Sequence, residues 1–105
     1  MAKTKVKAGI CGFVTEIEAN SQDFQNVSFS INTNCNNLAK LPEIIKTCDA
    51  YHELKNGSEG DIFRVTKSEL KSMCTACVAP SAIFKTMQVA AGLALPKNVS
   101  IDITK

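Results

Sequence analysis

Val27-Ser28-Phe29-Ser30-Ile31-Asn32-Thr33-Asn34-Cys35-Asn36-Asn37 holds the clearest strand of the chain and the point where that strand gives way to helix. Val27, Phe29 and Ile31 alternate with Ser28, Ser30 and Asn32, the period of two that sends one set of side chains to a core and the other to water. Cys35 continues the apolar phase. Asn36 and Asn37 are helix-capping residues, and beyond them Leu38, Leu41, Ile44, Ile45, Cys48 and Tyr51 recur at helical spacing. Pro42 suits the first turn of such a helix, where an N–H is not needed. Cys35 therefore falls where a strand meets a helix amino terminus, whose partial positive charge favours a thiolate.

Working outward, residues 4–11 and 13–19 alternate as half-buried strands do, with Val6, Ala8 and Ile10 in one phase and Phe13, Thr15, Ile17 and Ala19 in the other. The phase changes at Gly12, so Cys11-Gly12-Phe13 either kinks one long strand or joins two. On the other side, residues 55–61 are loop by composition, and Ile62-Phe63-Arg64-Val65 reads as a short strand or packed connector. Thr66-Lys67-Ser68-Glu69 has the pattern of a capping box, which predicts a short helix leading to Cys74. From Pro80 an apolar helix runs on, ending near Gly92 and before Pro96. Val99, Ile101 and Ile103 alternate with Ser100, Asp102 and Thr104 and predict a last strand.

The order β-β-β-α-(short α)-α-β, in one domain spanning residues 1–105, predicts an α+β two-layer sandwich. Its sheet is largely antiparallel, of about four strands, with two main helices and one short helix on one face. At 105 residues the chain can bury a core without disulfide staples. Its net charge is +2, and its basic residues, eleven Lys and one Arg, are scattered. With no Trp and one Tyr there is no basic, aromatic-interleaved surface of the kind that captures phosphates and stacks bases. Lys3, Lys5 and Lys7 read instead as the wet face of a strand, suited to an edge protected against aggregation. Met1–Lys7 is basic but no apolar segment of signal-peptide length follows, and no apolar run approaches about 18 residues; a cytoplasmic chain with no membrane partner is expected. A dimer through an unpaired sheet edge, or a protein partner, is compatible with the pattern, though no residue demands it. No small-molecule ligand is indicated.

Five cysteines in a reducing compartment are better explained by metal ligation, redox exchange or burial than by a disulfide framework. Cys11, Cys35, Cys74 and Cys77 all fall where an element ends, while Cys48 shares an apolar helical face with Leu41, Ile44 and Ile45 and reads as core. The preferred reading is a thiolate site in which Cys74 and Cys77, with Cys35 and Cys11, hold zinc or an iron–sulfur cluster. The Cys74-Thr75-Ala76-Cys77 turn lets two sulfurs approach one centre. Against it, structural zinc sites usually show two close pairs, and here there is one.

The first alternative is a non-enzymatic interaction or assembly module whose cysteines fill core space. A second is thiol–disulfide exchange at Cys74 and Cys77, although Pro80 places the helix start after the pair and the surrounding order is not βαβ. Cysteine hydrolase chemistry would need His52, the lone histidine, and no local motif joins it to a cysteine.

Cys11-Gly12-Phe13, Cys77-Val78-Ala79-Pro80-Ser81-Ala82-Ile83-Phe84-Lys85 and Val89-Ala90-Ala91-Gly92-Leu93-Ala94-Leu95-Pro96-Lys97 carry a resemblance. In these motifs the chain resembles a family of small uncharacterised proteins from anaerobic prokaryotes, and the likeness spans most of its length. The resemblance implies no activity. It does imply that relatives can have His at the position of Cys74, which suits a ligand-supplying position.

Overall fold

A computed structural model describes residues 1–105. Strands β1 (Ala2–Lys7), β2 (Val14–Asn20) and β3 (Asn26–Thr33) form where the alternation predicts them, and a short β4 (Thr47–Asp49) completes the sheet. The strand order is β1-β2-β3-β4 and every pairing is antiparallel. Register fixes the two faces. Ala2 and Val6, Thr15, Ile17 and Ala19, and Val27 and Ile31 are buried on one side. On the other, Lys3 stands opposite Glu18 and Lys5 opposite Glu16, with a Lys3–Glu18 ion pair of 3.6 Å at the surface.

There are four helices, α1 (Leu41–Ile44), α2 (Ala50–Asn56), α3 (Asp61–Glu69) and α4 (Ala79–Ala90), of which α4 and α1 pack on the inner face and α3 packs on both of them. The fold is thus the expected α+β layering. Helix α4 lies across β1 and β2 and buries Ala79, Pro80, Ile83, Thr86 and Met87. The Thr86 hydroxyl meets that of Thr4 at 2.6 Å, tying α4 to the middle of β1. The helix ends as Gly92 predicts: Gly92 has φ +72°, its N–H donates to the Val89 carbonyl, and Leu93 N–H donates to Gln88. This pair of bonds closes the last turn and needs a left-handed residue, which glycine supplies without strain. A Cβ on Gly92 would lie 3.2 Å from Cδ1 of Phe24, so the end of α4 sits against the β2–β3 turn.

Three sequence expectations fail. The helical run from Leu38 to Tyr51 is broken into a 3-10 turn at Asn36–Leu38, then α1, β4 and α2. Asn36 and Asn37 do not cap it: Cys35 holds the capping position and makes no side-chain cap bond. The break comes at Ile45, whose ψ of 87° leaves the helical region, and Asp49 restarts the helix by accepting the N–H groups of Tyr51 and His52. The connector at residues 62–65 is helix, and Thr66 lies inside it, its hydroxyl donating back to the Ile62 carbonyl instead of opening a new helix. Finally, residues 99–103 form no strand. A strand exists only through a neighbour; the fourth place in the sheet belongs to β4, on the β3 side, and the outer edge of β1 stays open.

The segment read as a loop at residues 55–61 is held from within. Glu53 is fully buried, and its carboxylate accepts the N–H groups of Asp61 at 2.8 Å and Ile62 at 2.6 Å. These are free amides of the first turn of α3, where the helix dipole also favours an anion. Gly60 permits the approach, since a Cβ there would stand 3.0 Å from Glu53 Oε2.

Candidate thiolate site

All five thiols are free. Cys11 lies at the tip of the β1–β2 turn, which Gly12 N–H closes onto the Gly9 carbonyl at 2.9 Å, with both glycines at positive φ. The turn therefore joins two strands, and it turns Ile10 and Cys11 out to solvent, against the expected burial of Ile10. Cys35 leaves β3 buried, its N–H donating to the Thr33 hydroxyl at 3.2 Å. The preceding Asn34 is pinned to the start of β2, its side-chain oxygen accepting from Val14 N–H at 2.9 Å. Cys74 and Cys77 occupy the connector between α3 and α4, where Cys77 N–H donates to the Cys74 carbonyl at 3.0 Å. Cys74 is exposed and Cys77 half-buried.

These three segments share one end of the molecule. In an antiparallel sheet the β1–β2 turn and the exit of β3 lie at the same end, as the pairing of Thr15 with Thr33 shows. Helix α4 runs from that end, since its middle touches Thr4 and its last turn reaches Phe24 at the opposite turn. Cys77 precedes its first residue. Burial pushes the Cys77 thiol up, a hydrogen bond from Ala79 N–H pulls the other way, and the nearby thiols of Cys35, Cys74 and Cys11 raise it further.

Sharing one end of the sheet is not ligation geometry. A tetrahedral zinc with bonds of about 2.3 Å holds its sulfurs about 3.8 Å apart. No three cysteine sulfurs lie within 4.8 Å of one another; the one group of potential ligands that does is His52, Glu53 and Asp61. That group already has structural work. Both Glu53 oxygens cap α3, Asp61 pairs with Arg64 at 2.8 Å, and His52 Nε2 stands 3.8 Å from Asp61 while its Nδ1 faces Asn56. No cysteine is among the partners of His52. Sequence reading missed Glu53; the local signal was a Glu in helical phase eight residues before a helix start that has no capping side chain of its own.

Cys48 stands apart from the other four. It lies on β4 opposite Val27, toward the other end of β3, and not on a helix as expected. It is half-buried against the core, and burial, with Glu53, Asp49 and Asp61 nearby, pushes its thiol up to about 12.

The fold is a small α+β domain in which three cysteine-bearing segments lie toward one end of the sheet, without any three sulfurs within 4.8 Å of one another. The chain belongs to a family of unknown function, DUF6951, whose model matches residues 2–103. No curated protein and no solved structure matches it. No helix is long and apolar enough to cross a membrane.

Proposed function

We propose that this domain binds a metal centre through the thiolates of Cys11, Cys35, Cys74 and Cys77, an iron–sulfur cluster in preference to a single zinc ion. The observation that supports the reading is that the β1–β2 turn, the β3 exit and the α3–α4 connector, each bearing cysteine, lie toward the same end of the sheet. No three sulfurs stand within 4.8 Å of one another, which fits a cluster better than one zinc ion. Four thiolates on one zinc must close to about 3.8 Å, whereas in a cubane cluster each cysteine bonds a different iron and the sulfurs stand further apart. Ala79 N–H, which favours the Cys77 anion, is the kind of donor that stabilises a ligating sulfur. Cys11 and Cys74 are exposed and keep an entry path open. Bound there, a cluster would supply one-electron transfer.

Thiol–disulfide exchange is less well supported, because α4, whose amino terminus could favour a thiolate, begins only at Ala79, after the Cys74–Cys77 pair. An interaction module with cysteines serving only as packing is the second reading, and the exposed apolar residues after α4 favour it. Elemental analysis and visible absorption of protein purified without oxygen separate the two. Iron with inorganic sulfide and a broad visible band supports the cluster; zinc alone supports a closed tetrahedral site; protein free of both metals and colourless after anaerobic reconstitution removes the metal reading.

A further inference from the structure

Residues 94–105 form no helix, strand or other backbone hydrogen bond, yet they carry the densest run of exposed large apolar side chains in the chain. Leu95 is 88% exposed, Val99 62%, Ile101 68% and Ile103 89%. Their alternation with Ser100, Asp102 and Thr104 is that of a strand with one dry and one wet face. The same molecule carries an unpaired edge: β1 is bonded to β2 on one side and to nothing on the other. From these two features we infer that the domain forms a symmetric dimer in which residues 98–104 of each copy add a strand to the outer edge of β1 in the other.

The two surfaces match in several ways. Six residues of β1 face a seven-residue alternating segment. On the inner side of β1, Ala2 and Val6 are buried, and Ala82 and Val89 of α4 remain half-buried. The last two lie one turn before and one turn after Thr86, on the helix face that touches β1. A strand placed there would set Val99, Ile101 and Ile103 against that flank and continue the core. On the outer side Lys3, Lys5 and Lys7 are exposed, and the incoming strand would place Asp102 beside them, an opposite-charge cross-strand neighbour. A second copy is the occupant because each chain offers both donor and acceptor, its own tail leaves its own edge open, and reciprocal exchange closes the assembly at two copies. The inference does not depend on the metal reading.

The test is the mass of the full chain in reducing buffer by light scattering and sedimentation, beside Ile101→Asp and Ile103→Asp singly and together. The expected result is a dimer whose dissociation constant rises at least about a hundredfold in the double variant, with circular dichroism and urea unfolding of the resulting monomer still cooperative. Charge reversal at Asp102→Lys should weaken the dimer as well. A monomer at all concentrations overturns the inference, including one whose tail amides are protected from exchange by docking on its own β1. A dimer indifferent to both isoleucine substitutions overturns it too.

Discussion

Glu53→Gln is the substitution that tests most sharply how this small fold is held. The carboxylate is fully buried and spends both oxygens on backbone N–H groups of α3, at 2.8 and 2.6 Å. Hydrogen bonds to a charged acceptor contribute about 1.5–3 kcal/mol each. Gln keeps the volume but offers one oxygen, so one bond loses its charge and the other becomes an amide NH₂ facing an N–H donor. The expected loss is about 2–3 kcal/mol, against a total stability of about 5–15 kcal/mol for a domain. With a urea dependence of about 1.5 kcal/mol per molar, the unfolding midpoint should fall by about 1.3–2 M. Glu53→Ala, which leaves both amides without a partner, should lose more, about 3–5 kcal/mol. Gly60→Ala pushes a Cβ to 3.0 Å from the same carboxylate, so its cost should shrink in the Glu53→Ala background, where the carboxylate is gone. A midpoint for Glu53→Gln within about 0.3 M of the parent would refute the reasoning, because it would mean that burying the charge costs as much as its bonds return.

Other outcomes follow from the same geometry. Cys48 holds its proton in the folded state up to about 12, while in the unfolded chain a thiol loses it near about 8.5. The folded form therefore binds more protons across that interval, and stability should fall as pH rises from about 9 toward 12; Cys48→Ala should flatten that alkaline slope in equilibrium unfolding. In timed alkylation of metal-free protein, exposed Cys11 and Cys74 should react first, and buried Cys35 and strongly protonated Cys48 last. Gly92→Ala should cost about 1–2 kcal/mol, since φ is +72° and the new Cβ would lie 3.2 Å from Phe24; chemical denaturation reads this directly.

The strands were legible because each has one wet face, so Val27, Phe29 and Ile31 or Thr15, Ile17 and Ala19 keep strict alternation. Helix α4 was legible at both ends, from Pro80 and from Gly92. The Leu38–Tyr51 run was not, because its apolar spacing fits a single helix equally well, and only the bonds that Asp49 makes to Tyr51 and His52 reveal the restart. Residues 99–103 have the alternation of a strand but no neighbour, and the choice of neighbour is a tertiary fact. For the candidate site, placing four cysteines at element ends was within reach of the sequence. That those ends coincide follows from antiparallel parity for Cys11 and Cys35, and from the direction of α4 for Cys74 and Cys77, which rests on contacts between Thr86 and Thr4 far apart in the chain.

Iron and sulfide bound per chain after anaerobic reconstitution, compared between Cys77→Ser and Cys48→Ser, tests the central claim most directly. Cys77 shares one end of the sheet with Cys11, Cys35 and Cys74, and Cys48 lies toward the other end of β3. The account predicts that the parent and Cys48→Ser load iron and sulfide in equal amounts and absorb in the visible, while Cys77→Ser loses most of both. Equal loading of the two variants, or none in the parent, would contradict it.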